Sequence, residues 1–226
     1  MFQRRLLTLS GLVLLTILAI VLLPLVVILT LLMSLTPKFR TAPQALTFIY
    51  GFLGHEWAGL ARFLFVLVRY PKHEHMDRNR DIQFWWAQSL FNMGKRLYQL
   101  RIEVTGTEAL EGNSALLLSR HSSMGDTVLP LLFFGKQRSE GLRYVLKQEL
   151  RYLPCLDIGG HRLPNVFVDR SGTDSAKAIK EVSQLIATAG KDESVLIYPE
   201  GTRFTQKKHD SLRSRHPRLK DQLDRW

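Results

Sequence analysis

With 226 residues, 46% of them hydrophobic, the chain can enclose one ordinary core and still have elements to spare. Its single cysteine, Cys155, excludes an intrachain disulfide framework and any cysteine-rich zinc cluster. The balance of 31 Lys and Arg against 20 Asp and Glu, a net +11, suits an anionic partner: nucleic acid, an anionic membrane or a small phosphorylated substrate.

Residues 6–37 contain no charged side chain and are dominated by Leu, Val and Ile. A hydrocarbon core needs about 20 helical residues, so this stretch is long enough to span, and a helix satisfies its own backbone where lipid offers no partners. A cleaved signal peptide has a shorter apolar core and a small-residue cleavage site, which Leu31, Leu32, Met33, Ser34 and Leu35 do not supply. Pro24 is expected to kink the helix.

A second apolar region, 41–68, includes His55, Glu56 and Arg62. Each charge costs on the order of 3 kcal/mol at mid-bilayer, so the region is either a second span with its charges against protein partners or a helix lying in the interface. If both regions span, Arg69, Lys72, Arg78 and Arg80 follow the second, and the positive-inside bias places the rest of the chain in the cytoplasm. Residues 1–75 are therefore expected to anchor the protein in a membrane, and 76–226 to form a globular domain.

In that second part, Ile82, Trp85, Trp86, Leu90, Met93 and Leu97 recur at helical spacing and predict a helix over 79–97. Ile102 and Val104 predict a short strand. Strands are then expected at 115–119, 142–146, 166–168 and 195–198. Between them lie predicted helices at 127–134, at 148–153, where Pro154 stops it, and at 176–189, where Ile179, Val182, Leu185, Ile186 and Ala189 share a face. This alternation implies an α/β fold, a mostly parallel or mixed sheet flanked by helices. The basic tail from 206 onward is either loose or a surface helix.

Directly after the first of these strands comes Arg120-His121-Ser122-Ser123-Met124-Gly125-Asp126. Loops at strand ends are where open α/β sheets place their sites. Asp126 can accept from one ring nitrogen of His121 and leave the other to take a proton from a substrate hydroxyl, provided the chain turns between them. Equally, Asp126 can cap the helix that follows. Glu200-Gly201-Thr202-Arg203 follows the last strand: the planar fork of Arg203 suits a phosphate, and Gly201 permits close backbone approach. Asp169-Arg170 ends the third strand, and an open sheet brings such ends into one crevice. The seven histidines have no metal-ligand spacing, so no metal is expected, and Gly159-Gly160 lacks the spacing of a phosphate-binding loop. Nucleic acid has only the charge in its favour, and the apolar anchor points to lipid instead.

These residues resemble the glycerolipid acyltransferases, among them the 1-acylglycerol-3-phosphate acyltransferases. The family's first block, Asn-His-four residues-Asp, is similar to His121 and Asp126, with Arg120 in place of asparagine. Its second resembles Phe167-Val168-Asp169-Arg170, its third matches Glu200 to Arg203, and its Lys-x-Glu-Leu segment resembles Lys147 to Leu150. The resemblance covers about residues 101–210. It implies an enzyme that moves a fatty acyl group from acyl-CoA or acyl-carrier-protein to a lysophospholipid hydroxyl, with 1-acylglycerol-3-phosphate as first choice of acceptor and no bound cofactor. It casts His121 and Asp126 as catalytic, and Arg170 and Arg203 as phosphate-binding, with Glu200 and Gly201 shaping that pocket. Two alternatives keep the same fold: a sibling enzyme for another lysolipid, and a non-catalytic lipid-binding or scaffold protein. A fourth block, a strand with Val-Pro, is expected beyond the third and is absent, so a domain incomplete at its C-terminus is one reading of 76–226.

Overall fold

In the computed structural model, residues 1–106, 114–121, 123, 125–135, 141–169, 175–191, 193–199 and 205–215 are described. Two long helices come first, α1 (Phe2–Ser34) and α2 (Ala42–Arg69), then α3 (His75–Leu97). Both apolar regions are long and apolar enough to cross a membrane. α1 runs through Pro24 without a break in its helical assignment, and of its side chains only Leu12 is buried.

α2 is different. Its buried residues Glu56, Gly59, Phe63 and Val66 follow the three-and-four spacing of one helical face. That face meets α3, which runs antiparallel along almost its whole length. Phe48 packs near Tyr98, Phe52 meets Trp86 edge-on at 6.0 Å, His55 stacks on Trp85 at 5.9 Å, and Arg78 lies 4.5 Å over Tyr70. Arg62 sits 3.9 Å over the Trp85 ring, so His55 and Arg62 of α2 are met by one tryptophan.

The sheet has four parallel strands, β1 (Leu116–Leu118), β2 (Gly141–Lys147), β3 (Val166–Val168) and β4 (Glu193–Ile197), in the order β1-β4-β2-β3. One face is covered by α3 and the apolar helical stretch Gly125–Phe134: Ala87, Leu131, Leu132 and Phe134 pack on Leu142, Tyr144 and Leu196. The other face carries α5 (Ser175–Ala187), whose Leu185 packs with Val145, Val168 and Val195. Ile179 and Ile186, expected on that inward face, are 67% and 41% exposed. The stripe that docks is the narrower one of Ala178, Val182, Leu185 and Ala189. The chain thus forms a small parallel α/β unit with an N-terminal apolar helix.

Two further expectations are corrected. Residues 102–104 form no strand; Ile102 and Val104 are exposed and no ladder partner meets them among the described residues. Residues 148–152 make a 3-10 turn, and Pro154 opens a helix, α4 (Pro154–Arg162), because a first-turn proline loses no intrahelical bond. The Gly159-Gly160 pair is interior to that helix. A Cβ on Gly159 would lie 2.8 Å from the Phe63 ring and one on Gly160 2.5 Å from the Phe167 ring, so the glycines let α4 wedge between α2 and β3. Of the two readings of the tail, 206–215 takes the surface helix, α6 (Gln206–Arg215).

α4 is where the N-terminal helices grip the domain. Glu56 of α2, 2% exposed, accepts a hydrogen bond from the Cys155 backbone N–H at 3.1 Å and so caps α4 from outside its own chain segment. Asp157, fully buried, accepts from Arg4 at 2.5 Å and from Arg5 Nε at 2.7 Å, both on α1. Arg162 donates to the Phe63 carbonyl at 2.7 Å. Burial and the neighbouring Arg5 charge lower the proton affinity of its guanidinium. A buried cation, Arg143 on β2, bonds Glu193 of β4 and the Thr188 carbonyl, while Arg80 reaches the same Glu193 at 2.5 Å and ties α3 to the sheet.

Candidate active site

β1 and β4 are neighbours in parallel register, Leu118 opposite Ile197, and the ladder continues one step past β1 with Ser119 N–H donating to the Ile197 carbonyl at 3.0 Å. The residues that leave these two strands therefore emerge side by side at the carboxyl rim of the sheet, where open α/β sheets build their sites. His121 comes from β1 and Tyr198 from β4. Their ring centroids are 5.1 Å apart with the planes at 47°.

The chain turns after His121 as the pairing with Asp126 requires. His121 Nδ1 stands 3.9 Å from Asp126 Oδ2, and the two side chains are mostly buried. That separation is beyond hydrogen-bond length and within strong Coulomb reach, a spacing that bound substrate commonly tightens. The same carboxylate also reaches back along the chain, rather than forward to cap the turn that follows. Asp126 lies in the first turn of the stretch beginning at Gly125, and its carboxylate accepts from Ser123 N–H at 2.5 Å and Ser123 Oγ at 2.7 Å. The bond from the Ser123 amide is one half of a capping box, and the Ser123 hydroxyl donates to the carboxylate instead of accepting from the Asp126 amide. One carboxylate thus shapes the turn and faces the imidazole.

Tyr198 donates its hydroxyl to the Asp126 carbonyl at 2.9 Å. Burial, with the Asp126 charge adding to it, keeps that hydroxyl protonated far above the usual phenol range. No sequence signal singled out Tyr198, since adjacency of the first and last strands is invisible in the order of the chain.

Further along the rim, past the end of β2, Lys147 pairs with Glu149 at 2.9 Å, which holds the Glu149 carboxyl below its usual value. Arg151 lies 5.0 Å over the Phe167 ring and donates to the Phe167 carbonyl at 3.3 Å, near where β3 delivers Asp169. Arg170, Glu200, Gly201 and Arg203 lie outside the described residues. Among the described residues no three His, Cys, Asp or Glu side chains gather as metal ligands.

Residues 101–218 match the acyltransferase family. The 1-acyl-sn-glycerol-3-phosphate acyltransferase of Pseudomonas aeruginosa is 32% identical over 120 residues, 53% of this chain and 44% of that protein. The epsilon form from Mus musculus is 29% identical over 92 residues, 40% of this chain and 25% of the relative. Lysophosphatidylcholine acyltransferase 1 of Homo sapiens is 32% identical over 104 residues, 45% of this chain and 18% of its own length. The match thus spans less than half of each relative. No solved structure matches.

Proposed function

The chain belongs to the acyltransferase family, and from that premise we propose that it transfers a fatty acyl group from an acyl-CoA or acyl-carrier-protein thioester to the free hydroxyl of a lysophospholipid, with 1-acylglycerol-3-phosphate as the leading acceptor. The observation that carries the reading is the meeting of His121 and Asp126 at the rim of the sheet, 3.9 Å apart on a half-enclosed turn.

With Nδ1 turned to Asp126, His121 Nε2 takes the proton of the acceptor hydroxyl. The hydroxyl oxygen bonds to the thioester carbonyl carbon, and the carbonyl electrons move to its oxygen. Collapse of that tetrahedral intermediate breaks the carbon–sulfur bond. The departing thiolate then recovers the proton from the imidazolium, leaving a diacyl lipid and a free thiol. Asp126 stabilises the imidazolium between the two transfers. Arg170 and Arg203 hold the acceptor phosphate by bidentate bonds, Glu200 and Gly201 shape that pocket, and Lys147 and Arg151 add positive charge to the same rim. Cys155 takes no part: burial beneath α2 pushes its thiol far above the range in which a thiolate forms.

Residues 1–75 serve as membrane anchor and 76–226 as the acyltransferase domain, facing the cytoplasm. α3 carries Arg78, Asp81, Gln88, Asn92 and Lys95 alongside α2, and a crossing α2 would draw those groups into hydrocarbon. Arg4 and Arg5 keep the start of α1 on the domain, while Tyr50 and Trp57 of α2 donate to Ala19 and Thr16 of α1. α1 and α2 are therefore read as a pair that enters one leaflet and leaves by the same side. Both lipid substrates dissolve in that leaflet, so the rim meets them at high local concentration.

The decisive assay is transfer of a labelled acyl group from acyl-CoA or acyl-carrier-protein to lysophosphatidic acid and to lysophosphatidylcholine by the full chain in membranes. His121→Ala is expected to lower turnover by about 10³-fold; equal turnover in both proteins ends the proposal. Arg203→Ala is expected to raise the acceptor KM, and preference for lysophosphatidylcholine would reassign the acceptor. Lys38→Cys, at the turn between α1 and α2 and in a Cys155→Ser background, should resist an impermeant maleimide from both sides of sealed vesicles and label once detergent opens them. Labelling from the opposite side alone would mean that α1 crosses.

A further inference from the structure

We propose that Tyr198 is a positioning residue for the His121–Asp126 pair, holding the turn that carries Asp126 against the end of β4; this rests on the acyl-transfer reading of that pair.

A histidine and an aspartate five residues apart do not share a face of any regular element, so their meeting depends on a turn whose place must be fixed from outside. The Ser123 bonds to Asp126 close the turn on itself and say nothing of where it sits relative to the sheet. Tyr198 supplies that reference. It leaves β4 one residue after Ile197, whose carbonyl accepts from Ser119 at the end of β1, so the strand register fixes its position beside the outgoing segment that carries His121. Its body is part of the core cluster with Leu131, Leu132 and Leu196, and it is 8% exposed, which leaves the ring little freedom.

From that fixed base Tyr198 makes two contacts with the pair. Its hydroxyl donates to the Asp126 carbonyl at 2.9 Å, and its ring lies tilted against the imidazole at 5.1 Å. The hydroxyl stays protonated throughout the working pH range, so it donates in every state of the cycle. The ring limits rotation of His121, and the hydrogen bond sets the distance over which Asp126 acts. Tyr198 touches neither substrate nor leaving group in this account and acts through Asp126.

Tyr198→Phe keeps the ring and removes the bond. In membranes it is expected to lower kcat about tenfold, because a small misplacement of a catalytic group is costly, with both substrate KM values within about twofold. The thermal midpoint of the detergent-solubilised protein should stay within about 3 °C, as for loss of one hydrogen bond in a chain of this size. In an Asp126→Ala background the same substitution should change kcat by less than about twofold, since the group through which Tyr198 acts is gone. An unchanged kcat in Tyr198→Phe, an effect confined to KM, or an equal loss in both backgrounds overturns the proposal. His121→Ala run alongside separates the two claims: turnover retained there removes the base itself, whereas His121→Ala inactive with Tyr198→Phe at full kcat removes only the role of Tyr198.

Discussion

The rim around His121 and the seat of α4 both hold charged groups away from water, and they do so in opposite ways. At the seat, Asp157 is fully buried and Glu56 nearly so, and each is met at hydrogen-bond distance by a donor from a remote part of the chain: Arg4 and Arg5 for Asp157, the Cys155 amide for Glu56. At the rim, the imidazole and the carboxylate, 16% and 21% exposed, stand 3.9 Å apart, and the carboxylate takes close bonds from the neighbouring Ser123. Closely matched buried charge fixes one arrangement and leaves nothing for a substrate to do. A pair short of contact, at an open sheet end, has room to tighten when a hydroxyl arrives. The first region holds the fold and the second is suited to chemistry.

That contrast is open to being broken. The largest expected effect is at the rim. Asp126→Asn keeps an acceptor for Ser123 and so keeps the turn, yet removes the charge facing His121, and should lower kcat by about 10²–10³-fold with little change in thermal midpoint, measured by labelled acyl transfer. A large loss of stability there would make Asp126 mainly a cap.

At the seat the order reverses. Asp157→Ala should cost about 3 kcal/mol of stability by denaturant titration in detergent, near the lower end for a broken buried pair because Arg4 and Arg5 are 25% and 32% exposed and can rehydrate. Turnover per folded molecule should hold.

Glu56→Gln, which keeps the shape and weakens the cap, should cost about 1 kcal/mol in the same titration. A loss of turnover exceeding the loss of fold in either variant would mean that the seat takes part in the reaction.

The smallest effect is in acid. Burial raises the Glu193 carboxyl, but the bonds from Arg143 and the Gly190 amide outweigh it, and the net shift is below the ordinary 4.5. A depressed folded-state value means that its contribution is complete above about pH 4.5 and fades as pH falls through the lower folded value. Glu193→Gln should remove that part of the acid sensitivity, read from thermal midpoints between pH 6 and 3.

Local pattern told where most elements lie, and it failed where packing overrides propensity. The strands near 116, 142, 166 and 195 were legible as short apolar runs, and α3 as a three-and-four stripe. α4 was not, since Pro154 and the glycine pair look like interruptions until Phe63 and Phe167 are seen pressing on the glycines. Residues 102–104 have the alternation of a strand and pair with no strand among the described residues. Of the site, His121 and Asp126 stood out by residue type and spacing. The neighbour Tyr198 depends on β1 lying next to β4, a fact of topology concealed by the long stretch of chain between the paired residues Leu116 and Val195. Glu56 looked like an expense in lipid and has a partner 99 residues away.

The bonds from Arg4 and Arg5 join the beginning of the chain to a residue more than 150 positions later. A ribosome makes the two arginines first, and the greasy helix behind them has left the exit tunnel long before Asp157 is added. The clasp at α4 therefore closes only after more than 150 further residues have been added, and the long loop that it seals makes it one of the costlier contacts of the fold to form.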